Sequence, residues 1–460
     1  MRWGDSRPRS GCHGDLDHTS RTSPGLLRHV DSLPASICGD GGVPLCSVVP
    51  RTIATGPTGV NIAGGTVRAI YLLSAVIFLC YLGSGATNPF QPIYAESLGA
   101  SIAEVGLVAG MFSTANLVGS LFWGRLADQT GRRKPLIVGA TLALALSNAL
   151  MSVAGDWRVA LALRTADGLA LSAYGVASMA MLGDVLEGNA RRGQIIGAYR
   201  MAGSLAFSVA IASAGLLVGV AGLPAAYRFA GIVYLLAFVA SALVPEQRRA
   251  RLAGVATVDG SLLALARGPM RPTVLVAAAF MVPFSAVYSV WPIWVSDVMG
   301  YGRTTFSQLW ALAAFVEVPG MLLAGYVVSR RGWRPTFAVG LALWVCVYGV
   351  YALAASLPEL VGAQLVRGFA FAACTATAMT MAIEMAPEQA RARAAGVFQI
   401  ALGLSQTTGG YLGGPIVALA GFRELFFVAG VAALTGAGYV ATSGRRDRVE
   451  PPARPGTPGA

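Results

Sequence analysis

Charge is scarce in this 460-residue sequence. Only 12% of its residues are charged, against roughly a quarter in an ordinary soluble domain, while 55% are hydrophobic and the mean hydropathy is +0.61. That composition excludes a soluble enzyme and describes a chain that uses lipid as its solvent. Histidine and cysteine are scarce too. The three histidines and six cysteines include no Cys-x-x-Cys pair, so neither a disulfide framework nor a zinc site is spelled out. The spacing of Cys12, His13, His18, Cys38 and Cys46 matches no standard metal-ligand pattern. No phosphate-binding glycine loop, nucleotide-binding segment or catalytic triad stands out, so neither enzyme activity, cofactor nor metal is expected, and energy has to come from a gradient. Nor does any unbroken apolar stretch near the start form the core of a signal peptide.

Residues 1–66 differ from everything after them. They hold all three histidines, half of the cysteines and Pro-, Gly- and Ser-rich stretches without helical periodicity, and read as a disordered tail or as a start set too far upstream. From Val67 on, apolar segments of about 20 residues or more follow one another with short connectors. Twelve are expected, among them 68–89, 102–123 and 272–296, with the last ending at 442. They exceed barrel-strand length and lack two-residue alternation, so the fold class is an all-α integral membrane protein. The division is a six-helix half at 67–245, a connector at 246–271, a second six-helix half at 272–444 and a tail at 445–460.

The formal charge of +12 raises the question of nucleic acid, but its distribution answers otherwise. Alternate loops collect Arg125, Arg132, Arg133, Lys134, Arg191, Arg192, Arg267, Arg271, Arg330, Arg331 and Arg334, while the opposite loops hold only Arg158, Arg228, Arg303 and Arg423. Basic loops resist translocation, so both termini are expected in the cytoplasm of a multi-pass cell-membrane protein. The basicity reports topology, and no nucleic-acid partner is implied.

Self-similarity organises the rest. Pro92-Ile93-Tyr94 recurs as Pro292-Ile293-Trp294, Gly119 and Gly124 as Gly320 and Gly325, Arg164 as Arg367, Asp184 as Glu384, and Gly197-Ala198-Tyr199 as Gly396-Val397-Phe398. An offset near 200 implies two parallel halves with a site between them near the bilayer midplane. The stretch Gly124-Arg125-Leu126-Ala127-Asp128-Gln129-Thr130-Gly131-Arg132-Arg133-Lys134 resembles the G-x-x-x-D-x-x-G-R-[KR] signature of the major facilitator superfamily (MFS). Its second-half copy, Gly325 to Arg334, carries Ser329 in place of the acid, and Arg164 with Gly168 is similar to that family's R-x-x-x-G element. The resemblance spans roughly residues 67–444 and implies a monomeric alternating-access transporter whose halves rock around a central site.

Physically, Gly124 and Gly131 permit close approach and positive φ at a tight turn. Asp128 has Arg132 and Arg133 nearby, and Asp184 at the end of the fourth segment is a further partner for a charge-assisted latch. The alternative is that these are solvated topology charges. A charge at the centre of a spanning helix costs at least about 2.5–3.5 kcal/mol on insertion scales, which makes each one a functional hypothesis. Glu317 stands in mid-helix, with Asn116 at the equivalent place in the second segment. A carboxyl in low-dielectric surroundings is a candidate proton carrier, the alternative being a protonated or paired structural acid beside Pro319. Arg164 and Asp167, spaced i,i+3, either neutralise each other or face the cavity. Arg367 has no acid at that spacing and is expected to hold a carboxylate, that of Glu317 or of a substrate. Arg200 can snorkel to the interface. Asn88, Gln91, Tyr288 and Trp291 are further cavity candidates, beside Tyr94 and Trp294, which equally suit an aromatic belt at the membrane surface.

One feature departs from the family's drug/proton antiporters, whose fifth span typically carries a Gly-rich element ending in Gly-Pro. Here Gly215-Leu216 stands at that place, and Gly409, Gly410, Gly413, Gly414 and Pro415 occupy the eleventh segment instead. The function expected is secondary active transport of a small organic solute, drug or sugar, by proton-coupled efflux. A proton-independent facilitator, an importer or a non-transporting sensor on the same scaffold is the alternative.

Overall fold

A computed structural model describes residues 63–189, 191–246, 267–268, 270–384 and 391–446. Side chains of 63–65, 379–380, 382–384, 391–395 and 443–446 are outside the described set, as are residues 1–62, most of the 246–271 connector and 447–460. Twelve long helices lie among the described residues: α1 (Ala63–Thr87), α2 (Ile102–Thr130), α3 (Lys134–Met151), α4 (Trp157–Val185), α5 (Arg192–Ala221), α6 (Leu223–Ala242), α7 (Arg271–Tyr288), α8 (Arg303–Arg331), α9 (Trp333–Leu353), α10 (Leu357–Glu384), α11 (Arg391–Ala420) and α12 (Phe422–Arg446). No strand occurs among those residues. Eleven of the helices are long and apolar enough to cross a bilayer. The exception, α11, has the length but carries Gln406-Thr407-Thr408 and four glycines through its second half.

Local chemistry sets the helix ends. Ser101 and Glu104 form a capping box at the start of α2, the Ser101 N–H donating to Glu104 Oε2 at 2.7 Å. The helix stops at Gly131, whose φ of 62° is the left-handed conformation that glycine adopts without penalty. It therefore runs through Thr130 rather than ending near 123. Gly124 and Asp128 are helical residues, and only 131–133 make the turn. Gly124 makes no close approach, since a Cβ there would meet nothing nearer than Val176 at 3.8 Å.

The expected 272–296 span is broken, and the expected 68–89 span runs on through a break at its end. After α1 come a 3₁₀ turn (Asn88–Phe90) and a short helix (Gln91–Ser97), and after α7 come Trp291–Ile293 and a π-helical stretch (Trp294–Val298). Pro89, Pro92 and Pro292 lack the N–H that an unbroken α-helix needs at those points. The breaks fall at equivalent places in the two halves.

Packing repeats with the sequence. In the first half α2 packs on α4, α1 on α5 and α6, and α3 on α4 and α6; in the second, α8 packs on α10, α7 on α11 and α12, and α9 on α10 and α12. Glycines do matching work in both. A Cβ on Gly168 of α4 would stand 2.5 Å from the carbonyl oxygen of Phe112, and one on Gly368 of α10 would stand 2.8 Å from that of Ala313. The halves meet along two equivalent seams, α2 with α11 and α5 with α8. Gly106 and Gly414 bring α2 and α11 backbone to backbone, while Thr304 Oγ1 donates to the Gly215 carbonyl across the other seam at 3.2 Å. Phe90 packs on Phe306 with ring centres 5.4 Å apart. These close approaches run from the helix midpoints to the end opposite the arginine-rich turns. That end is closed.

Candidate functional site

Three cavities that share lining residues lie between the helices. The first, about 300 Å³, lies in the first half nearest the arginine-rich end and is lined by Ile77, Tyr81, Tyr174, Ser178, Tyr199, Arg200 and Ser204. Tyr81 and Ser204 also line the second, about 280 Å³, which lies between the halves: Phe207 and Ser208 face Phe284, Trp310, Glu317, Met321, Arg367 and Phe371 across it. Phe284 in turn borders the third, about 140 Å³, with Asn88, Gln91, Phe112, Arg164, Tyr288 and Gln406. Each cavity carries one guanidinium.

Those three cations are held differently. Arg200 is exposed. Arg164 is buried and has an acid beside it: Nη2 donates to Asn88 Oδ1 at 2.7 Å, Nη1 lies 3.6 Å from Asp167 Oδ2, and the guanidinium sits 3.8 Å from the centre of the Phe112 ring, only its Nε lacking a partner among the described residues. Asp167 also accepts from Ser147 Oγ and from Asn148 Nδ2, the latter at 3.3 Å. The i,i+3 pair thus neutralises itself inside a polar network, as one of the two sequence alternatives had it, while Arg164 still borders a cavity.

Arg367 is 2% exposed and has no acid within ion-pair distance among the described residues. Its Nη1 donates to Gln364 Oε1 at 3.0 Å, Gln364 Nε2 donates to the Tyr351 hydroxyl at 2.7 Å, and Tyr351 and Tyr288 share a hydrogen bond of 3.0 Å. The guanidinium faces the rings of Tyr288, at 4.5 Å, and Trp310, at 5.0 Å, and its Nε has no partner. Cation–π contacts and one neutral amide are little compensation for a desolvated charge. Glu317, half-buried at the midpoint of α8, lines the same cavity without pairing with it. The expected Arg367–Glu317 ion pair is not made; the two groups share a space instead.

Other sequence candidates fall into place unevenly. Asn88, Gln91 and Tyr288 line the third cavity. Asn116 stands at the midpoint of α2, as Glu317 does of α8, but its Nδ2 donates to the Gly168 carbonyl at 3.4 Å and it borders none of the three cavities. Trp291 is fully buried among Tyr288, Phe306, Trp310 and Tyr351 at the closed end, and so packs rather than lines. Tyr94 and Trp294 are buried too, Tyr94 donating to the Met151 carbonyl at 2.6 Å, which removes them from an aromatic belt.

At the arginine-rich end Asp128 is exposed and makes no ion pair among the described residues, while Arg132 is exposed beside it. Arg133 instead pairs with Asp184, joining the turn before α3 to the end of α4 within one half. The latch drawn from sequence is therefore absent around Asp128 in this conformation, because the helix carries its carboxylate out to the surface. The side chain of Glu384 lies outside the described residues.

Residues that sequence reading passed over complete the site. Trp310 and Phe284 frame Arg367 and the central cavity, and Gln364, Ser147 and Asn148 hold the buried charges. Gln364, three residues before Arg367, was the nearest to being legible.

Fold and site together define a multi-pass membrane protein of two six-helix halves enclosing a charged cavity. The Major Facilitator Superfamily profile matches residues 73–354 and 274–459, and the chain belongs to that family. Quinolone resistance protein NorA of Staphylococcus aureus (strain MSSA476) is 22% identical over 250 residues, 52% of this chain and 62% of NorA, so the match spans less than two thirds of that relative. An uncharacterized MFS-type transporter of Bacillus subtilis (strain 168), YttB, is 23% identical over 371 residues, 78% of this chain and 90% of YttB. Among solved structures, the nucleoside transporter NupG superimposes with a TM-score of 0.67 at 15% identity over 81% of this chain and 98% of that one. A bacterial homologue of the human lysosomal transporter Spinster, inward-facing and unoccupied, gives 0.69 at 15% over 85% and 100%. These structural likenesses speak for the fold.

Proposed function

We propose that this protein is a secondary transporter that moves a small organic solute across the cell membrane by alternating access, with Glu317 carrying a coupling proton. The observation that carries the reading is the central cavity: it lies between the halves, holds a carboxyl and an unpaired guanidinium in mid-membrane, and is sealed at one end by the Gly106–Gly414 and Gly215–Ser307 contacts. A charge kept there against its insertion cost needs a functional reason. The positive-inside rule assigns the arginine-rich end, with both termini, to the cytoplasm, so the conformation described is closed to the outside. Protonation of Glu317 changes the relative stability of the two access states, and a solute bound between the halves rides the exchange.

Efflux of drug-like compounds is the second reading, favoured by the aromatic lining of Phe207, Phe284, Trp310 and Phe371 and by the name of the quinolone resistance relative. The test is transport of a compound panel, a quinolone included, into and out of proteoliposomes under an imposed pH gradient, with Glu317→Gln alongside. Gradient-driven movement of one compound that the variant loses supports the reading. Transport unchanged by the variant removes the coupling role of Glu317.

A further inference from the structure

Resting on the reading of the central cavity as the transport site, we infer that its substrate is an aromatic organic monoanion, held by Arg367, and that anion and proton bind together. Three observations lead there. The first is a cation lacking its counter-charge: Arg367 is 2% exposed, and among the described residues no acid lies within ion-pair distance of it. The contrast with Arg164, its counterpart in the first half, is internal to the molecule. Arg164 has Asp167 at 3.6 Å, and the equivalent position in α10, three residues after Arg367, is Ala370. One half neutralised its arginine; the other left it open to the cavity.

The second observation is the surroundings. Phe284, Trp310 and Phe371 flank the guanidinium side of the cavity and Phe207 stands opposite, a lining that accepts a flat apolar body next to an anionic group. A guanidinium offers paired N–H donors in the geometry that carboxylate and sulfonate oxygens accept. The third is Glu317 in the same space. Of the other groups facing it from neighbouring helices, Arg367 on α10 is the charged one, Tyr81 on α1 is titratable but neutral at ordinary pH, and Arg200 on α5 belongs to the adjoining cavity.

The sign of the coupling follows. An anion placed beside Glu317 repels its carboxylate, so substrate binding and proton uptake favour each other, and by linkage each strengthens the other equally. A cationic substrate in that cavity would compete with the proton instead. Joint binding sends anion and proton through the membrane in the same direction, whereas competition sends them in opposite directions. Arg367 selects the first arrangement, which under an inward proton gradient is uptake.

The experiment uses purified full-length protein and three isosteric probes: naphthalene-2-sulfonate, which stays anionic at every pH used, its neutral sulfonamide, and a naphthyl trimethylammonium cation. Binding is measured by calorimetry across pH in two buffers of different ionisation enthalpy. Wild type is expected to prefer the sulfonate, to bind it more tightly as pH falls, and to take up as much as about one proton per sulfonate bound. Arg367→Gln should lose roughly tenfold or more for the sulfonate while keeping the sulfonamide, and Arg367→Lys, which keeps the charge if Gln proves unstable, should retain the preference for the anion. Glu317→Gln should bind the sulfonate with no pH dependence.

Equal sulfonate affinity in wild type and Arg367→Gln overturns the anion assignment. So does a preference for the cation, or for the sulfonamide over the sulfonate, and in either of those cases the cavity remains a binding site. Sulfonate affinity that is flat or falls on acidification overturns joint binding. If no probe binds to a monodisperse protein, the reading of the cavity as the transport site fails along with the inference.

Discussion

Replacing Gly414 by alanine should push the molecule out of the conformation described here. A Cβ at that position collides with the carbonyl oxygen of Ile102 and stands 3.0 Å from the Gly106 nitrogen, both backbone atoms of the other half. Neither can swing aside as a side chain could, so the α2–α11 seam must open by part of an ångström. Overpacking of this kind costs about 1–3 kcal/mol. The cost falls only on the state in which that end is closed, whereas the better helix propensity of alanine, up to about 1 kcal/mol, is gained in both states and cancels. The ratio of the two access states should therefore shift by about 5- to 150-fold toward opening at that end. Gly139→Ala on α3 is the control: a Cβ there meets nothing within 4 Å, so the change touches neither seam. Spin labels on Arg158→Cys and Arg423→Cys, exposed at the closed end of the two halves, report the change as a longer distance population in pulsed electron resonance, with native cysteines replaced. A distribution unchanged in Gly414→Ala, or shifted as much by Gly139→Ala, would refute the assignment of that seam as the closed gate.

Other substitutions separate structural from functional charge. Asp167→Ala strips Arg164 of its acid in a buried network and should cost about 3–5 kcal/mol of stability, read as a lower melting temperature in detergent, while Arg164→Met with Asp167→Leu should recover much of it. Asp128→Asn should leave the melting temperature alone, since that carboxylate is exposed and unpaired, yet alter transport rate; Asp184→Asn should lower stability by about 1 kcal/mol by breaking the pair with Arg133. Unaltered transport in Asp128→Asn would reduce the signature stretch to topology charge. Trp310→Leu, which removes one ring facing Arg367, should weaken naphthalene-2-sulfonate binding by a few fold, about 0.5–1 kcal/mol, with Tyr288 still in place.

Much of the architecture was written in local pattern. Apolar runs longer than a bilayer is thick admit one backbone solution, and the repeat at an offset near 200 placed Glu317 opposite Asn116 and Arg164 opposite Arg367 before any helix was packed. Features set by tertiary contact were not legible. Whether Arg367 meets Glu317 depends on how α8 and α10 rotate about their shared glycine contacts, and a helical wheel of either segment leaves that open. The partners of Asp167 sit on α3, in a sequence stretch where Ser147 and Asn148 read as two polar residues in an apolar run. The signature stretch lies past the apolar run that ends near 123, where hydropathy carries no helix signal, yet the last turns of α2 continue through it to Thr130. Trp291 and Asn116 are polar or amphipathic residues in mid-chain that turned inward to pack, which residue type alone does not distinguish from lining a cavity.

Proteoliposomes loaded with a pH-sensitive dye test the central claim, that the cavity holding Glu317 and Arg367 couples a solute to a proton. When naphthalene-2-sulfonate is added outside wild-type vesicles, protons should enter with it and the lumen should acidify, and Glu317→Gln vesicles should admit the sulfonate without that proton flux. Lumenal alkalinisation in wild type, or the same acidification in Glu317→Gln, would contradict the account.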